Sequence, residues 1–138
     1  MAIERRLRIA IVVYLWIALF EDTSLFFMAW FRPDLWFGYF HGVSPVGLDV
    51  ALLRRTAGQW AAFAVVQGIA LWRGRENPVW LVMVAGARFS DLFTDVSYVL
   101  AAPSLTPLGW ACLLPPPVLN LLGVVIMLRG YKQAKPQV

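Results

Sequence analysis

Charge is what this sequence is short of. Of its 138 residues 14% are charged and 60% hydrophobic, with a mean hydropathy of +0.67, whereas an ordinary soluble domain is about 25% charged and a water-facing surface needs roughly 25 to 35%. Twelve basic and eight acidic residues cannot clothe a domain of this size, which excludes a soluble globular protein and points to a membrane. Cysteine is nearly absent. The single Cys112, inside an apolar stretch, rules out a disulfide framework, a thiolate zinc site and a CxxC redox pair, and reads as a small core hydrophobe. Histidine is equally scarce. Any metal site would have to add Asp and Glu to His41, and no ligand spacing of that kind occurs, so no protein metal site is expected. His41 is left as a candidate axial ligand for a haem or pigment, or as an interface residue in an aromatic loop. No nucleophile elbow, P-loop, GxGxxG or HExxH pattern is present, and no internal repeat.

What is there is apolar sequence in four runs. At about 20 residues per span the chain holds four spans in one membrane domain over 1–138, with no room for an extramembrane domain. The expected spans are 7–31, closed by Arg32-Pro33; 50–72, rich in the small residues that permit close helix approach; 78–102, opening on Pro78 at a favoured first helical position; and 108–128. No small-residue cleavage site follows the first run, so the N-terminal segment is expected to be retained.

The net charge of +4 does not form the patch a nucleic acid would need. Its basic residues sort by side instead: Arg5, Arg6 and Arg8 before the first span, Arg73 and Arg75 between the second and third, Arg129, Lys132 and Lys135 after the fourth. The positive-inside rule makes that side cytoplasmic and puts both termini there. The expected protein is an all-α, multi-pass four-helix bundle, placed in a bacterial inner membrane. The aromatic connection 32–49, with Trp36, Phe37, Tyr39, Phe40 and His41, suits the headgroup boundary as an interfacial anchor, or could lid a cavity.

Charges inside spans are the informative feature, because each costs about 2.5 to 3.5 kcal/mol at a helix centre. The third span carries Arg88, Asp91, Asp95 and Tyr98 at helical spacing along one stripe, which cannot face lipid. On the first span Glu21 and Asp22 lie about 14 residues, or roughly 21 Å, from its cytoplasmic end, level with that stripe. Arg55 and Gln59 share a face in the first turns of the second span, and the fourth contributes Asn120. These nine residues are expected to form one buried polar cluster of four acids against two bases, or three if Arg54 joins. Like charges in a low dielectric disfavour double ionisation. The cluster is therefore either a proton-handling or polar-ligand site, or a set of ion pairs that fixes helix register. Pro115, Pro116 and Pro117 remove backbone donors from the fourth span and break or kink it, beside a cavity or simply within the bundle.

Two resemblances follow from these residues. Leu53-Arg54-Arg55-Thr56-Ala57-Gly58 opening the second span, and Arg88 within Ala87-Arg88-Phe89-Ser90-Asp91 in the third, resemble the DoxX-like small four-helix membrane proteins. Such relatives often have an acidic residue where Asn120 stands here. Resemblance to DoxX itself implies association with a quinone-linked membrane oxidoreductase. Phe20-Glu21 with Trp30, Asp95-Val96-Ser97-Tyr98 and Asn120 echo the sterol-isomerase-like EXPERA four-helix group, whose acids sit in a lipid-binding cavity. This chain lacks that group's longer first connection and its aspartate-arginine loop motif, so its isomerase activity is not implied.

The leading expectation is a non-catalytic accessory subunit of a larger membrane complex, redox or energy-linked, whose polar cluster fixes packing and contacts a quinone, lipid or pigment. Its partners would be lipid and other membrane subunits. The alternative is a stand-alone transporter of protons or small molecules, or a lipid-modifying enzyme, using Glu21, Asp91, Asp95 and Tyr98.

Overall fold

The computed structural model describes residues 3–102 and 104–134; Met1, Pro103, Lys135 and the rest of the C-terminal tail lie outside them. All regular structure in the described residues is helical: α1 (Arg5–Phe31), α2 (Pro33–Trp36), a π-helical turn (Phe37–His41), α3 (Gly47–Arg73), α4 (Val79–Ala101), α5 (Pro107–Leu113) and α6 (Pro115–Ala134). The α1 helix and the stretch Pro107–Ala134 are each long and apolar enough to cross a membrane. Arg54, Arg55, Gln59 and Gln67 dilute α3, and Arg88, Asp91 and Asp95 dilute α4.

The long helices form a ring: α1 packs along α3, α3 along α4, α4 along α6 and α6 along α1. The chain runs up and down, so the start of α1 meets the end of α6, where the Glu4 amide donates to Gln133 Oε1 at 3.0 Å. Helix boundaries follow local chemistry. Pro33 drives its predecessor Arg32 out of the helical region, to φ −133° and ψ 57°, which ends α1. The π-helical turn stops at Gly42, held at φ 66°, where a side chain would be strained. Thr106 caps α5 by accepting from the Gly109 amide at 3.0 Å.

The prolines bend the last helix rather than ending it. Leu114, between α5 and α6, keeps helical angles and donates to the Trp110 carbonyl at 3.2 Å, the last such bond before three residues that have no N–H to give.

Two apolar clusters fill the interior. At the basic end Ile11, Leu15, Ala70, Leu81, Val84, Ala85 and Met127 pack together, and α6 comes close enough that a Cβ on Gly123 would strike the Tyr14 ring. At the opposite, aromatic end Ala29, Trp36, Phe40, Leu53, Ala57 and Trp60 form the second cluster. Here the aromatic side chains of the connection 32–49 divide between two directions. Trp36 and Phe40 are 3% and 7% exposed, because the short helix and π-helical turn roll them under the bundle, while Tyr39 faces out.

Candidate functional site

Between the two apolar clusters lies a belt of buried polar side chains from all four long helices. Asp22 of α1, Gln67 of α3, Arg88 and Asp91 of α4 and Asn120 of α6 are all buried. Arg88 is the hub. Its guanidinium pairs with Asp22, donates to Asn120 Oδ1 at 3.0 Å and stands 3.6 Å from Asp91. Gln67 Nε2 donates to Asp22 at 2.6 Å. The Asn120 amide turns its nitrogen to the acids, 2.8 Å from Asp95 and 3.3 Å from Asp91. One amide thus reads the arginine with its oxygen and two carboxylates with its nitrogen, which is why an amide works at this position where an acid would face two like charges.

Above the belt, toward the aromatic end, is a cavity of about 370 Å³. Its floor is Asp22, Arg88, Asp91 and Asn120; Glu21 and Asp95 stand on its sides. Trp36, Phe37, Phe40, Trp60 and Tyr98 form an aromatic wall, and Leu52, Thr56, Thr94, Cys112 and Pro116 lie toward the rim. The expected stripe on α4 is therefore present, with Arg88, Asp91, Asp95 and Tyr98 all lining one space.

Arg55 and Gln59 do not belong to it. Both are exposed. The face of α3 that turns inward carries Leu53, Ala57, Trp60, Gln67 and Ala70; at about 100° per residue, positions two away from Leu53 and Ala57 point to the far side. Arg54 leaves the belt too, donating from Nε to the Trp30 carbonyl at the end of α1, 3.2 Å away. With both arginines gone, four acids of the cluster face a single base.

The residue that sequence reasoning passed over is Gln67, two turns further along the inward face. Its signal was available: it is a lone polar side chain inside Ala64-Val65-Val66-Gln67-Gly68-Ile69-Ala70, where an amide must find a buried partner. The aromatic wall was hidden because Trp36 and Phe40 sit in a segment whose composition reads equally well as a headgroup anchor.

His41 also has a settled role. Its Nδ1 lies 2.8 Å from the Ser104 carbonyl, an acceptor only, so Nδ1 carries the proton and Nε2 accepts. Nε2 accepts a hydrogen bond from the Tyr98 hydroxyl, and the Tyr98 oxygen in turn accepts from Trp36 Nε1 at 3.1 Å. Both ring nitrogens of His41, the residue named above as a candidate axial ligand, are thus engaged within the protein. It pins α4, the π-helical turn and the segment before α5 to one another. The lid alternative for this connection fits the geometry, since Trp36, Phe37 and Phe40 line the cavity.

No family model, curated protein or solved structure matches this chain. The site stands on its own geometry.

Proposed function

We propose that this is a four-helix integral membrane protein that binds a small amphipathic molecule in the cavity between its helices. All four long helices would cross the bilayer, with the basic end cytoplasmic and, in a bacterium, in the inner membrane. The single observation that carries this reading is the cavity itself: about 370 Å³, with a buried polar floor and an aromatic wall. A polar network whose only task was to fix helix register would be packed over, not left facing an open space. The cavity falls within the size range of small-molecule sites, with few polar groups and many apolar ones.

Among the ligand classes raised by the sequence, a lipid-like amphiphile fits best. A quinone offers carbonyl acceptors, whereas most of the charged groups that line the cavity are carboxylates, themselves acceptors when ionised. The accessory-subunit reading, in a redox or energy-linked complex, stands second. The exposed aromatic face of α1 favours it, where Phe27 and Phe31 stack with centroids 5.8 Å apart and either lipid or a neighbouring subunit would be accommodated. Neither reading requires catalysis.

The test is purification of the tagged protein in mild detergent, with mass spectrometry of co-purifying chains and of extracted lipids and quinones. A stoichiometric small molecule, lost on replacing Asp95 with Asn, supports the binding reading. A stoichiometric partner polypeptide with no bound molecule overturns it in favour of the subunit reading.

A further inference from the structure

The cavity's acids outnumber its bases in a way that helix packing does not explain. Glu21, Asp22, Asp49, Asp91 and Asp95 line it, against Arg88 alone. Arg88 is already committed to Asp22, Asn120 and Asp91. Asp49 is drawn off to the start of α3, where its carboxylate accepts from the Val46 amide at 3.4 Å. That leaves Asp95, held only by one amide hydrogen bond from Asn120, and Glu21, with no hydrogen-bond partner among the described residues. They line the same cavity from α4 and α1, and neither has a cation of its own.

A second observation points to the ligand from the opposite sense. Arg88 is 2% exposed and lines the cavity, yet its Nε–H has no acceptor. A buried guanidinium N–H without a partner is costly, and it calls for an oxygen. The third element is the wall: Trp36, Phe37, Phe40, Trp60 and Tyr98 present ring faces and edges, which attract organic cations as well as hydrocarbon.

Building on the cavity-binding reading above, we infer that the ligand is a cationic amphiphile of the long-chain amino-alcohol class. Its ammonium group sits between Asp95 and Glu21, its hydroxyl oxygen accepts from Arg88 Nε–H, and its chain runs along Leu52, Leu53 and Leu113 toward the rim. The ammonium supplies the missing positive charge, and the hydroxyl supplies the missing acceptor. A neutral alcohol satisfies only the second need, and a fatty acid opposes the first. Such molecules partition into bilayers, and the exposed rim at Leu52, Thr94 and Cys112 gives them a way in from the side.

The experiment compares sphinganine with N-acetylsphinganine on the intact protein in lipid nanodiscs. The two share chain and hydroxyls, but acetylation removes the cation. Binding is read from the fluorescence of the wall tryptophans and checked by protection of Cys112, the chain's only cysteine, from maleimide labelling. Sphinganine is expected to bind about tenfold or more tighter, the scale of a charge-assisted hydrogen bond. Asp95→Asn and Glu21→Gln should each shrink that preference while leaving N-acetylsphinganine unchanged. Equal binding of the two overturns the cation inference and leaves the cavity reading standing. Binding of neither overturns the inference as well, and the extraction experiment then decides separately whether the cavity holds any molecule at all. The wild-type comparison needs no variant to fold.

Discussion

The two ends of this bundle each bury a cluster of apolar residues and do opposite things with it. At the basic end leucine, valine, alanine and methionine close on one another until Gly123 and Gly130 have no room for a Cβ beside Tyr14, Ile11 and Leu81. At the aromatic end larger side chains leave a space of about 370 Å³. Size explains the inversion. Small and branched residues interdigitate to crystal-like density, whereas indole and phenyl rings, pinned at fixed angles, prop the helices apart. Trp36 makes an edge-to-face contact with Phe40 at a centroid distance of 4.9 Å and lies 5.3 Å from Trp60. The polar belt divides the two regimes, and Arg88 holds both.

The comparison breaks most severely at that hub. Arg88→Met keeps an unbranched apolar stem but leaves Asp22 and Asp91 buried without their counter-charge, and the Asn120 oxygen without its donor. Removing one partner of a buried pair typically costs about 3 to 5 kcal/mol. The variant is expected to lose most of its folded population in mild detergent, read as a collapse of the thermal unfolding transition. A melt unchanged from the wild type would mean that the belt holds nothing together.

Next in size, Met127→Ala at the sealed end should cost about 2 to 5 kcal/mol, since Met127 is fully buried and its neighbours have little freedom to collapse. Denaturant titration in detergent measures it. At the hollow end Tyr98→Phe keeps the ring and deletes one oxygen, stranding Trp36 Nε1–H and the acceptor nitrogen of His41. Unpaired groups of this kind cost about 1 to 3 kcal/mol, and the loss should be confined to the cap: faster hydrogen exchange over residues 36–42, with the basic end unchanged. Leu52→Ala, at the exposed rim of the cavity, should move stability by no more than about 0.5 kcal/mol while weakening retention of the proposed amphiphile. A Leu52→Ala variant as unstable as Met127→Ala would show that the aromatic end is as tightly packed as the other.

How much of this division could be read in the sequence depends on which force decides each residue's direction. The helices were legible because apolar run length, Pro33 and the basic clusters act locally. So was the α4 stripe, since a charge in an apolar helix must turn away from lipid whatever its neighbours do. Arg55 misled because it lies close enough to the end of its helix to turn outward, and only the placement of Leu53 and Ala57 against α1 settles that. Gln67 was missed for the complementary reason: an amide in an apolar run has no charge to flag it, though burial commits it as firmly. Trp36 and Phe40 share a face at i, i+4, but only the packing of that face against Ala29, Leu53 and Trp60 shows that it turns inward.

The smallest expected effect lies outside the bundle and tests whether the aromatic end is held from above as well as from within. Arg32 and Asp34 face each other across the α1–α2 corner, Nε to Oδ1 at 3.1 Å and a second guanidinium nitrogen to Oδ2 at 2.8 Å. The hydrogen bond from Arg32 pulls the Asp34 carboxyl below its ordinary range. A lowered acid contributes stability above its unfolded-state value and loses it as the pH falls through the folded-state value, so the corner should loosen only under strongly acid conditions. Both side chains are more than half exposed, and water and salt screen the pair. Asp34→Asn should therefore leave the neutral-pH melt unchanged and remove only the acid-side change in the mobility of residues 32–36, followed by amide resonances in detergent. If Asp34→Asn instead opened the cap over Trp36 at neutral pH, the corner and the His41–Tyr98 pin would be one cooperative unit, and the aromatic end would be governed from its surface.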